Sequence, residues 1–280
     1  MARAAPSLPG MRDAIGGRIR ALVGSGTVDL SRPPGDAGLF GPQSVAWRVH
    51  ADFSAMMIGG VSALLLQMLH PLALAGVWDH SDFRQNRLGR LRRTAQFIAL
   101  TTFGSTASAT RAIDRVRAIH EQVTGSLPDG TSYEASDPAL LTWVHVAEVD
   151  SFLRAYIRYR EPGLSGAEQD RYLDENAVAA ERLGARDVPR TRRDVEQYYR
   201  SVRPELRFDA RTKEVAAALL ARGPDAVTNS ALAIVTPAAI DLLPPWAAAM
   251  HGRSPAAISR PAIRLGARGM SNVLRWALRR

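Results

Sequence analysis

The chain of 280 residues contains no cysteine. That excludes disulfides, thiolate-ligated metals, iron–sulfur clusters and cysteine nucleophiles, while leaving the compartment open. Lysine is almost as scarce: Lys213 is the only one, so nearly all the positive charge is arginine. Acidic residues stop at Asp241, after which seven arginines follow: Arg253, Arg260, Arg264, Arg268, Arg275, Arg279 and Arg280. No alternating strand pattern, glycine-rich nucleotide fingerprint or internal repeat stands out. None of the six histidines has a glutamate three residues before it, and there is no His-Glu-x-x-His. Ferritin-like di-iron bundles and zinc hydrolases are therefore not expected.

What is present is an ordinary globular composition, 46% hydrophobic and 22% charged, with a formal charge of +9. A chain of this length buries a substantial core. Its basic tail can attract anionic lipid or an acidic partner, or pack as an amphipathic helix on the domain. Nucleic acid is not the expected partner, because few aromatics are interleaved for base stacking. The N-terminus has no continuous apolar run, so a secretory leader is not expected. Phe53 to Trp78 lacks Asp, Glu, Lys and Arg, but Gln67, His70 and Pro71 break it; a buried core helix with a break fits better than a membrane span. The expected location is cytoplasmic, with peripheral membrane contact as an option.

Helix signals recur along the whole chain. Residues 1–40 read as an N-terminal extension with a short helix near Met11–Val23, and residues 251–280 as a basic C-terminal helix. Between them, 41–250 read as one all-α domain. Its first substantial helix starts near Ser44, with a second apolar piece beyond Pro71. Small residues at Ser54, Gly59, Gly60, Ser62 and Ala63 permit close approach of another helix or a flat cofactor. Asp137-Pro138 is an N-cap followed by proline at the first helical position, and Ser165-x-x-Glu168 is a capping box. Thr191 caps the next helix, Ala210–Arg222 forms another, and Pro237 interrupts the apolar Ala231–Leu243 stretch.

The central segment is Arg84 to Gly125. It predicts two helices joined by a turn near Gly104–Ser108. On the first, Arg90, Arg93 and Thr94 share a face that Phe97 and Thr101 continue. On the second, Ile113, Val116, Ile119, His120 and Val123 form an apolar stripe, stopped by Gly125. His120 there reads either as a satisfied core histidine or as a metal or haem ligand. The cluster Asp79, His80 and Asp82 reads as helix-cap chemistry before a metal site. His145 and Glu148 stand at i, i+3 on a face with Leu141, Val144 and Phe152. His145 reads as an interhelical hydrogen-bonding group or a second candidate ligand.

Arg90-Leu91-Arg92-Arg93-Thr94 followed by Arg117-Ala118-Ile119-His120 resembles the rubber-oxygenase catalytic-domain family of latex-clearing and MpaB-type oxygenases. The resemblance runs from about Gly41 to Trp246, through GPQSVAWRVH, LLLQMLHPLALAGVWDHSDF, DPALLTWVHVAEVDSFLRAY and DLLPPW. It implies a globin-related helical core with haem b, whose iron is held by His120. It also implies that Arg90, Arg93 and Thr94 line the haem or its distal side, with Arg117 in the Arg-x-x-His motif; among the remaining histidines, His145 and His70 are next in line as ligands should His120 not serve. Arginine would meet propionates or bound dioxygen, and Thr94 a proton or water. Two positions depart from the rubber-cleaving pattern. Arg93 stands where those enzymes carry an iron-reaching lysine, and guanidinium is a poor ligand. The catalytic glutamate has no clear counterpart, Leu74 or its neighbours occupying that spacing with Asp79 and Asp82 nearby. The expectation is an oxidoreductase using dioxygen or peroxide, and an electron donor, on a hydrophobic or small secondary-metabolite-like substrate rather than polyisoprene. The alternatives are a non-catalytic haem- or ligand-binding protein and a membrane-surface protein.

Overall fold

The computed structural model describes residues 36–83, 86–223 and 225–278; the helix expected near Met11–Val23 lies outside them. Local caps start most helices. The Ser44 hydroxyl accepts the Trp47 N–H at 3.1 Å and opens α1, Val45–His50. Asp52 accepts the Ala55 N–H at 2.9 Å and opens α2, Phe53–Gln67. Pro71 then begins α3, Pro71–His80, at 105° to α2. The break expected at this proline is therefore a sharp turn. No single described helix is long and apolar enough to cross a membrane.

Helix α4, Arg87–Phe103, and α5, Thr106–His120, form the expected pair, with Ser105 capping the second. Gly125 does not stop α5. The helix ends at His120, and the chain enters a short ribbon of β1, Thr124–Ser126, and β2, Ser132–Glu134. Thr124 pairs with Glu134, Gly125 with Tyr133 and Ser126 with Ser132. This ribbon is the only sheet among the described residues, and its three-residue strands are too short to display a period-two pattern in the sequence. Tyr133 turns inward, and its hydroxyl donates to Asp79 at 2.7 Å, while His80 Nε2 meets the Thr124 carbonyl at 3.0 Å. The Asp79–His80 pair thus ties the ribbon to α3.

Asp137 caps α6, Pro138–Tyr159, the long central helix. The Ser165 and Thr191 capping boxes open α7, Gly166–Leu183, and α8, Arg192–Val202. Helix α9 covers Ala210–Leu219 and α10 Ala226–Leu242. Pro237 lies inside α10 without interrupting it, at the cost of one backbone donor. A short α11, Pro245–Met250, precedes α12, Arg260–Leu278. The fold is all-α apart from the ribbon.

The core forms where α2 crosses α6. A methyl at Gly59 would stand 2.9 Å from the Phe152 Cα and from the Ser151 carbonyl oxygen, so the small-residue run admits a helix backbone at this point. Helix α10 covers α2 from outside, and α12 packs on α10, α2 and α6. Asp241 on α10, its side chain 1% exposed, receives Arg158 at 2.8 Å, Arg264 at 2.8 Å and Arg260 at 3.5 Å. Arg275 donates to Asp52 at 2.6 Å. Much of the basic tail's charge is therefore turned into the molecule.

Gly59 and Gly60 make a paired test. Gly59→Ala should lower unfolding free energy by about 1–3 kcal/mol, because backbone must move. Gly60→Ala, whose methyl would meet only the Phe152 ring at 3.7 Å, should be neutral or stabilising by up to about 1 kcal/mol. Urea unfolding of both variants checks this; equal losses would remove Gly59 as the point of closest approach.

Candidate functional site

The ends of α2, α4 and α5, with α3, the ribbon, α6 and α9, enclose a cavity of about 360 Å³, within the range of small-ligand sites. Its walls are mainly aliphatic: Leu64, Val77, Leu91, Val123, Val144 and Leu219 are among them. Two strongly polar groups face it, Arg90 from α4 and His120 from the last turn of α5, with His80 at the ribbon side. Ile119, 52% exposed and also lining the space, stands at its mouth. The expected buried stripe on α5 is thus buried only at Ile113; at Ile119 and His120 the helix borders the cavity.

Neither side chain has a hydrogen-bond or ion-pair partner among the described residues. Arg90 is half-buried and has no carboxylate within ion-pairing distance among the described residues. Burial, and then the charge on Arg93, lower its pKa from the ordinary arginine value, but a guanidinium stays protonated. The Nδ1 of His120 is buried without a hydrogen-bond partner. Burial lowers the His120 pKa, so the ring is held neutral with a lone pair available.

The other expected site residues stand elsewhere. Arg93 is exposed and donates to Asp82 at 3.0 Å. Thr94 is exposed, its hydroxyl 3.4 Å from the Arg90 carbonyl it donates to. Arg117 is exposed and pairs with Asp114 at 3.3 Å. The shared face expected of Arg90, Arg93 and Thr94 is therefore split: Arg90 turns inward, while its neighbours one turn on lie toward solvent. His145 does not line the cavity, and His70 Nε2 meets Glu205 at 3.4 Å. Asp79, His80 and Asp82 serve the ribbon and Arg93. No group of three or more His, Asp or Glu side chains among the described residues is placed to hold a metal ion.

Helices α4 and α5 pack on each other, α4 on α1 and α5 on α7, yet neither packs extensively on α2 or α6. On the α6 side stand His145 and Glu148, both half-buried. Burial drives His145 down to about 4 and Glu148 up to about 7. The Nε2 of His145 is buried without a partner. Beside them a network not foreseen from the sequence joins three helices: His50 Nδ1 lies 2.8 Å from the Thr102 hydroxyl and Nε2 lies 2.9 Å from the Tyr172 hydroxyl. Burial, and then His145, hold the His50 pKa down to about 3. Its only sequence signal was a histidine beside Val45, Ala46 and Val49 on a short apolar helix.

Glu148 carries a pH signature. Its folded pKa lies above its unfolded value, so between about 4.5 and 7 the unfolded chain has released a proton that the folded chain retains. Its contribution to stability therefore falls as pH rises through that window and levels off above 7. Glu148→Gln should raise stability at pH 8, by on the order of 1–3 kcal/mol, and leave it nearly unchanged at pH 4. Denaturant titrations at both pH values check this, and an equal shift at both would remove the buried-acid assignment.

The model of the family described as ER-bound oxygenase mpaB/B'/Rubber oxygenase, catalytic domain, matches residues 47–276. No curated protein and no solved structure matches. The match takes in all of α2 to α11 and nearly all of α12, with both cavity residues, Arg90 and His120, inside it. The chain belongs to the mpaB/rubber oxygenase catalytic-domain family.

Proposed function

We propose that the protein is a haem b-dependent oxygenase acting on a hydrophobic substrate or a small secondary-metabolite-like one. The observation that carries this reading is the pairing, on one aliphatic cavity, of an imidazole with a buried unpartnered nitrogen and an unpaired guanidinium. These residues fit the cofactor. His120 supplies a neutral nitrogen ligand, Arg90 a permanent cation for a propionate, and the aliphatic walls suit a flat apolar ring.

When bound, haem b would supply the iron centre at which dioxygen or peroxide is activated. The chain's own residues do the rest. Burial keeps the His120 ring unprotonated, so its lone pair is not lost to a proton near neutral pH. Arg90 fixes the orientation of an anionic group by charge-assisted hydrogen bonds. The aliphatic walls exclude water and favour an apolar substrate. Arg93, held outside by Asp82, leaves no basic side chain at that position to act as a second ligand. Selectivity for polyisoprene is not part of this reading, since the catalytic glutamate of the rubber-cleaving pattern has no clear counterpart here, and Leu74, at about that spacing, is buried and aliphatic.

Absorption spectra and a pyridine haemochrome assay on protein expressed with haem test the proposal. The wild type should show a Soret band that His120→Ala loses and His145→Ala retains. Arg90→Leu should keep the band but weaken haem retention by roughly ten- to a hundredfold, the loss of a hydrogen bond to a charged group. No band in the wild type would overturn the reading. A band without turnover, given dioxygen or peroxide and a reductant, would leave a haem-binding protein that is not an oxygenase.

A further inference from the structure

Helix α12 presents to solvent the kind of surface that helices usually bury. Its inward face carries Ile263, Ala267, Met270 and Ala277. Three of its arginines are committed to the body of the protein, Arg260 and Arg264 to Asp241 and Arg275 to Asp52. The outward face should then hold the remaining charge. It does not. Positions 262, 265, 269, 273 and 276 recur at steps of three and four and hold Ala262, Leu265, Gly269, Val273 and Trp276. Leu265 is 74% exposed, Val273 51% and Trp276 39%, and Ile258, in the turn that leads into the helix, is 90% exposed. Contiguous exposed apolar surface of this kind marks an interaction site.

We propose that the outward face of α12 is a docking surface for an anionic lipid bilayer, on which the helix lies flat. Charge complementarity selects this occupant. No acidic residue follows Asp241, and seven arginines do. By helical spacing Arg260, Arg264, Arg268 and Arg275 fall in one sector along a single flank of the apolar stripe. Arg253 and Arg268 are exposed, and neither is within ion-pairing distance of a carboxylate among the described residues. Arginine so placed can reach lipid phosphates while its neighbours enter the acyl boundary, and tryptophan suits the same depth. A second copy is a poorer occupant: two-fold pairing of α12 with itself would bring the unpaired Arg268 of each copy to the same contact, with no acid on either helix to meet it. The charged flank also keeps α12 in the interface plane rather than across it.

Sedimentation of the full-length protein with phosphatidylcholine vesicles, with and without phosphatidylserine, tests the proposal independently of any cofactor. Binding should require phosphatidylserine and should weaken steeply as sodium chloride is raised. The double variant Leu265→Ser/Trp276→Ser should bind at least about tenfold more weakly, through lost apolar burial, with an unchanged thermal midpoint. Three results would overturn the proposal: no binding to anionic vesicles, equal binding to both vesicle types, or full binding by the double variant. So would a concentration-dependent dimer that the double variant abolishes, with no vesicle binding by the wild type, since a second copy would then cover the face.

Discussion

The close crossing of α2 and α6 is the constraint on which the rest of the structure depends. At Gly59 there is no space for a side chain, because backbone of α6 occupies it. Polar contacts at both ends fix the register of the crossing. At one end the Trp143 indole N–H donates to the Gln67 carbonyl at 3.1 Å and the Gln67 amide donates to the Val144 carbonyl at 3.0 Å. At the other, Arg275 bridges the Asp52 carboxylate, which caps α2, and the Tyr159 carbonyl at the end of α6. Sliding either helix by one turn would strand these groups in a region where an unmade hydrogen bond costs about 1–3 kcal/mol. The crossing therefore holds one relative placement, and α3, α10 and α12 are laid out from it.

Polar groups inside the molecule are handled in two different ways. Around α12 they are charged and paired, with carboxylates that have almost no exposure collecting arginines. Between α4, α6 and α7 they are kept neutral instead: burial holds His50 at about 3 and His145 at about 4, and raises Glu148 to about 7. The first arrangement suits a permanent interface, since removing either partner leaves an uncompensated charge.

Local chemistry was the legible part of the sequence. Asp137-Pro138, Ser165 with Glu168, and Thr191 each act within one helical turn, and each begins a helix as expected. Helix class, the turn at Pro71 and the close approach at Gly59 were legible for the same reason. The site was legible only in outline. Spacing placed Arg90, Arg93 and Thr94 on one face but could not say how that face would meet the fold; Asp82, eleven residues away, decides it by drawing Arg93 outward. The stripe on α5 was read as buried because periodicity reports an apolar face and not what lies opposite it. Here a cavity and its mouth lie opposite. The His50–Thr102–Tyr172 network spans 122 residues of sequence, and no local pattern could assemble it.

An unpaired guanidinium and an unpartnered imidazole on one aliphatic cavity are each a cost to the folded chain on its own. The arginine could have been paired, as Arg158, Arg260, Arg264 and Arg275 are around α12, and the cavity could have been filled by larger side chains at Val77, Val123 or Val144. Neither is the case: Arg90 has no carboxylate partner among the described residues and His120 Nδ1 has no hydrogen-bond partner, beside aliphatic walls. A ligand with an acidic edge, a nitrogen-accepting centre and a flat apolar body would remove all of these costs together. Binding of such a ligand to the folded chain alone must raise its stability by mass action.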